Sequence, residues 1–134
     1  MKLINTLLDN IYVTSPYGDR IHPVTGIKTF HNGVDLRAAE NTAVFAPFDG
    51  VIAGKVENST GGKQLVIKSK DGVIPEYRIT FSHLNNFDIE SVKNNFGKGQ
   101  IICYTGNTGR STAPHLHVTI RKDGELVDPQ TVYI

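Results

Sequence analysis

Short apolar runs, each soon closed by a glycine turn, leave this chain little opportunity for long helices. Val44-Phe45-Ala46-Pro47-Phe48 ends at Asp49-Gly50 and is followed by Val51-Ile52-Ala53. Leu65-Val66-Ile67-Lys68 sits between Gly61-Gly62 and Asp71-Gly72. Tyr77 to His83, Ile101 to Thr105 and His115 to Arg121 are further β-rich runs, and Asp123-Gly124 predicts a closing hairpin. Closely spaced strands with such turns predict an all-β sandwich or barrel-like sheet. Helical spacing appears only at Leu3, Ile4, Leu7 and Leu8, which predicts one short N-terminal helix.

A chain of 134 residues fits one compact domain with its own core, so a metal here would serve chemistry rather than hold the fold together. With 39% hydrophobic and 20% charged residues, it falls in the ordinary globular range. The net charge is +1 and the basic residues are scattered, which argues against nucleic acid or an anionic membrane as partner. No apolar stretch is long enough to span a bilayer, so no membrane insertion is expected. The N-terminal run is broken by Asn5 and followed by Asp9, so no signal peptide is expected either. Cys103 is the one cysteine, and its apolar neighbours predict a buried, structural thiol.

The chemistry lies in the histidines: His22, His31, His83, His115 and His117. In His115-Leu116-His117 on a strand, both imidazoles face one side while Leu116 points into the core. His31 and Asp35 share a face in either helix or strand, and Gly33 between them leaves space for close approach. Two histidines and a carboxylate form the donor set of a catalytic zinc site with a fourth position open to water. A structural zinc site would more typically draw on several cysteines. The general base would be His83 or whichever of His115 and His117 does not bind metal. The residues alone leave that last pair open. Gly106-Asn107-Thr108-Gly109 lacks the lysine of a phosphate-binding loop and reads as a plain turn. Asn58-Ser59-Thr60 reads as a chance match to a glycosylation pattern, and Arg110 as a solvated charge at the edge of a groove.

The segments His31-x-Gly33-x-Asp35, Ser82-His83-Leu84 and Ser111-Thr112-Ala113-Pro114-His115-Leu116-His117 resemble the signature blocks of the lysostaphin-like, LytM-type zinc metalloendopeptidases that act on peptidoglycan. The run Tyr17 to Gly26, the segment Lys98 to Gly109 and Val127-Asp128-Pro129 are similar too. The resemblance implies a compact antiparallel β-sheet domain of the duplicated hybrid motif type, with little helix. It implies a single peptidase domain over residues 1–134, with a core of about 15–131. One Zn²⁺ per chain would be held by His31, Asp35 and His117, while His83 and His115 would be catalytic. The implied activity is hydrolysis of a peptide bond in peptidoglycan cross-links or stem peptides, with the bond itself left open. Phe81 stands where Tyr is common in the family and Val118 where Phe is common, which bears on groove shape. The stretch Asp19 to Phe30 contains no tyrosine, so no oxyanion-binding tyrosine is assigned there. His22 matches a frequent family residue and is read as a surface or loop-packing histidine.

Two rival classes share part of this pattern. A catalytically inactive family member would serve as a wall-binding or regulatory domain, and would usually lack one or more of the five site residues. A sugar-phosphotransfer carrier also brings two histidines together, but needs neither the Asp35 carboxylate nor the H-x-H pair. The expected place of action is the bacterial cell wall, whether extracellular, periplasmic or virion-associated. The expected form is a monomer or part of a larger lytic or phage assembly.

Overall fold

The structure is a computed structural model that describes residues 1–21, 25–90 and 92–134. The alternation seen in the sequence becomes a set of two-faced strands. In chain order these are β1 (Val13–Ser15), β2 (Gly18–Ile21), β3 (Lys28–His31), β4 (Val34–Arg37), β5 (Ala43–Phe45) and β6 (Gly50–Asn58). Then come β7 (Gly62–Ser69), β8 (Tyr77–Asn86), β9 (Asn95–Phe96), β10 (Ile101–Thr105), β11 (His115–Lys122) and β12 (Glu125–Val127).

Among the described residues, ten of these strands make one antiparallel sheet with the path β1-β4-β11-β8-β7-β6-β9. Strand β12 adds to β11, and β10 bridges β5 and β8. Strands β2 and β3 form a separate hairpin. The predicted last hairpin is present: Asp123 and Gly124 both have positive φ, at 50° and 85°, as a tight two-residue turn between β11 and β12 requires. The N-terminal helix is only a single 3₁₀ turn, Leu3–Thr6. Its spacing arises because Leu3, Ile4, Leu7 and Leu8 all plunge into the core, a packing that needs no continued helix. Strands β1 to β4 and β9 add to the runs expected from sequence. They are short, and β2 and β3 carry mostly exposed side chains, so they give little alternation to detect.

One face of the central sheet is dry. Leu36 on β4, Leu116, Val118 and Ile120 on β11, Ile79 and Phe81 on β8, and Leu65 and Ile67 on β7 are all fully buried. They share a core with the N-terminal turn and with Val44, Ile102 and Cys103. Phe81 and Val118 thus face the core and do not line the groove, so the expectation that they shape it is corrected. Burial raises the Cys103 thiol far above its ordinary pKa, matching the inert, structural thiol expected from sequence. Among the described residues, no helix is long and apolar enough to cross a membrane.

Because Leu116 is fully enclosed, Leu116→Ala should cost about 2–5 kcal/mol of stability, as measured by urea unfolding. The native protein should leave Cys103 unmodified by a thiol reagent, and unfolding should expose it.

Candidate metal centre

The opposite face of β11 carries the histidines. Its burial alternates strictly, with His115, His117 and Thr119 on the wet side and Leu116, Val118 and Ile120 on the dry side. β4 pairs beside it with Asp35 directly across from His117. Upstream, the chain must turn from the small hairpin into the main sheet between His31 and Val34. A Cβ on Gly33 would collide with the Val118 carbonyl oxygen, so only glycine lets this turn lie against β11. His31 and Asp35 therefore meet through two successive strands, β3 and β4, and not along a single element.

The resulting cluster is tight. One donor atom each from His31, Asp35 and His117 lies within 4.8 Å of the others. His31 Nε2 is 3.4 Å from Asp35 Oδ2, and His117 Nδ1 is 2.7 Å from Asp35 Oδ1. Outer partners fix which ring nitrogen faces inward. His31 Nδ1 donates to the Pro16 carbonyl at 2.8 Å, which leaves Nε2 for the centre. His117 Nε2 lies 3.0 Å from Asn32 Oδ1 and 3.2 Å from Thr119 Oγ1, which leaves Nδ1 for the centre. Such second contacts are what orient histidine ligands in metal sites.

With the rings neutral, the three inward atoms are all lone-pair donors. They repel one another unless a proton or a metal ion sits among them, and His117 Nδ1 is at hydrogen-bond distance from Asp35 Oδ1. Two imidazoles and one carboxylate suit a borderline metal such as Zn²⁺, so the residues present fit the ion. Burial pushes the Asp35 carboxyl up. The hydrogen bond and charge of His117, together with the charges of His31 and His115, outweigh it, and the carboxyl lies below its ordinary pKa.

The other two histidines stand beside this cluster. The His83 ring centroid is 4.8 Å from that of His115 and 6.2 Å from that of His117. His115 Nε2 is 3.6 Å from Asp35 Oδ1, while its Nδ1 donates to the Ala113 carbonyl at 2.8 Å, with Ser111 Oγ at 3.2 Å. His83 adopts φ 63°, a costly conformation for a non-glycine residue. Two carbonyls hold it there. Its backbone N–H donates to Gly61 O, and its Nδ1 donates to Thr108 O, both at 2.7 Å. Burial lowers its pKa, so the ring stays neutral to lower pH than an ordinary histidine, although the Thr108 bond opposes this.

The turn Gly106 to Gly109 thus supplies the carbonyl that aims His83. Gly109 has φ 77°, and a Cβ there would strike the Gly62 amide nitrogen. Arg110 closes the same contact by donating its backbone N–H to Thr60 O at 2.8 Å.

All five predicted site residues line one open groove of about 640 Å³. Arg110 lines it as well, as do Asn58 and Thr60 of the glycosylation-like triplet. His22 lies outside the described residues. The sequence reading missed Asn32, Ser111 and Thr119 as supporting groups. A signal existed for two of them: Asn32 adjoins His31, and Thr119 follows His117 by one strand period on the same face.

Comparisons with known proteins place the chain among peptidases. The chain is 36% identical over 120 residues to the DD-carboxypeptidase/endopeptidase Mpg of Neisseria meningitidis, a match covering 90% of this chain and 26% of that protein. It is 39% identical over 88 residues to the glycyl-glycine endopeptidase ALE-1 of Staphylococcus capitis, covering 65% of this chain and 23% of that one. The chain thus spans about a quarter of the length of the curated relatives it matches. A zinc-containing peptidase from Vibrio cholerae superposes with a TM-score of 0.81 at 28% identity, over 96% of this chain and 39% of that one. The catalytic domain of lysostaphin from Staphylococcus simulans superposes at 0.73 with 31% identity, over 90% of each chain. The family model for peptidase family M23 matches residues 29–129, and the chain belongs to that family.

Proposed function

We propose that this chain is a zinc-dependent endopeptidase domain that hydrolyses a peptide bond in bacterial peptidoglycan, acting at the cell wall. The observation that carries the reading is the convergence of His31, Asp35 and His117 with two further histidines on one groove floor. The relatives include a DD-carboxypeptidase/endopeptidase and a glycyl-glycine endopeptidase, which supports the substrate class. That all five of these side chains line the groove supports the catalytic reading over the inactive, regulatory one.

His31, Asp35 and His117 would hold the ion. The chemistry zinc supplies in such a site is Lewis acidity, toward a carbonyl and toward water. The protein's own contribution comes from His83 and His115. Each ring spends its Nδ1 proton on a carbonyl, Thr108 O for His83 and Ala113 O for His115, so its Nε2 is the free nitrogen. Between them the two rings take up the proton released by the attacking water and face the charge that develops on the carbonyl oxygen. The fixed carbonyls hold the rings before substrate arrives, so little reorganisation is needed.

The groove chemistry also favours an amide over a glycosidic bond. Glycosidases usually place two carboxylates across the scissile bond. Among the described residues, Asp35 is the one carboxylate lining the groove, and it is committed to the metal cluster.

Elemental analysis should find one zinc per chain. His31→Ala, Asp35→Ala and His117→Ala should each lower metal content and activity together. His83→Ala and His115→Ala should keep the metal but lose about 10²–10⁴-fold in rate. Retention of metal by all three ligand variants would overturn the assignment. Activity should fall on acidification, because protonation charges the imidazoles and removes the lone pairs they work with. In a second experiment, digestion of purified walls should release new amino groups without new reducing sugar ends, and a chelator should stop it. New reducing ends with intact peptides would refute the endopeptidase reading.

A further inference from the structure

Along the groove floor, the sheet carries a second chemical feature beyond the histidines. The wet face of β11 continues from His117 through Thr119 to Arg121. Thr119 pairs with Thr80 of β8, and both line the groove as an uncharged stretch of floor. One strand period further on, Arg121 pairs with Arg78, and Arg78 pairs in turn with Lys68 of β7. Three cations thus lie in a row across three neighbouring strands, on the same face as the histidines.

Like charges placed directly opposite one another destabilise a sheet. Little on the protein offsets the repulsion here. Lys68 reaches Asp71 at 3.2 Å, but that carboxylate is 87% exposed. Arg121 donates only to the Gly124 carbonyl, at a long 3.4 Å. Glu76 and Asp123 lie just past the strand ends, but Asp123 accepts a hydrogen bond from the Glu76 backbone N–H. Among the described residues, neither Arg78 nor Arg121 has a carboxylate within ion-pair distance. The groove has the same bias among the described residues: Arg20, Arg110 and Arg121 line it, against the single carboxylate of Asp35.

We propose that the row Arg121–Arg78–Lys68 is a subsite for a free carboxylate of the peptide substrate. It lies about four extended residues, roughly 13 Å, from His117. The inference rests on the peptidase reading of the groove and narrows its substrate class to acidic peptides. A guanidinium pair on a rigid sheet offers forked donors that match a carboxylate's two oxygens. The threonine-lined floor between the two sites lets an extended peptide lie along the groove without a competing charge.

The test uses synthetic stem-type peptides that differ only in bearing a carboxylate or a carboxamide, with that group moved residue by residue from the scissile bond. With zinc-loaded wild-type protein, the carboxylate form should show about tenfold higher kcat/KM when the group sits about four residues from the cut. Added salt should shrink the advantage. Exchanging both arginines, Arg78→Gln with Arg121→Gln, should abolish the preference by bringing the carboxylate form's kcat/KM down to that of the carboxamide, with the melting temperature at or above wild type. Binding of the same peptides to the His83→Ala protein, read by fluorescence anisotropy, should show the same preference without turnover. Equal handling of acid and amide at every position, or a preference that survives the double exchange, overturns the subsite. Failure of wild-type protein to cut any of the peptides, while His83→Ala still prefers the acid, would instead count against the peptidase reading and leave the subsite standing.

Discussion

The antiparallel register of β4 against β11 is the constraint on which the rest depends. It sets Asp35 directly across from His117. The same register sends Leu36, Leu116 and Val118 into the core, each fully buried. Side chains alternate along a strand, so a slip of one residue would expose these apolar groups and bury both histidines. Each large apolar side chain buried is worth about 1.5–3 kcal/mol. The core therefore enforces the geometry of the site without any contribution from a metal. The site can be assembled in advance, with His31, Asp35 and His117 already converging.

That convergence has an electrostatic consequence. Pro16 O, Asn32 Oδ1 and Thr119 Oγ1 engage the outward nitrogens of His31 and His117, leaving inward lone pairs beside the Asp35 carboxylate. A cluster of this kind is stable when a cation is shared among its members. A second device sits across the groove. His83 is held in a strained backbone conformation by the turn Gly106 to Gly109 and by the tip of the β6–β7 hairpin. Strain of this sort persists only where neighbouring structure over-determines it. Here two glycine-permitted approaches, at Gly62 and Gly109, bring those neighbours close enough.

Much of this was legible in the sequence, and the reasons are physical. The β11 histidines follow from the two-residue strand period, and the buried Leu116 between them matches it. The all-β class follows from short runs closed by glycine turns. The route to the His31–Asp35 pair was less legible. Spacing alone placed them on a common face, whereas the chain changes sheets between them. That change is visible only once Gly33 is seen against the Val118 carbonyl. The burial of Val118 follows from the alternation on β11, and Phe81 lies beside it on β8 in a run that stays buried to Leu84, yet their kinship to groove-shaping positions pointed the other way. Strands β2 and β3 gave no apolar period because their side chains mostly face solvent. The cationic row was invisible in sequence, because Lys68, Arg78 and Arg121 become neighbours only through strand pairing.

In the proposed centre two imidazoles and one carboxylate hold zinc, with two more histidines standing by unligated. X-ray absorption at the zinc edge of the loaded protein reads that donor set. The expected shell is light N/O donors at about 2.0–2.2 Å, with multiple scattering from two imidazoles. A sulfur shell near 2.3 Å, or scattering from four imidazoles, would refute the assignment.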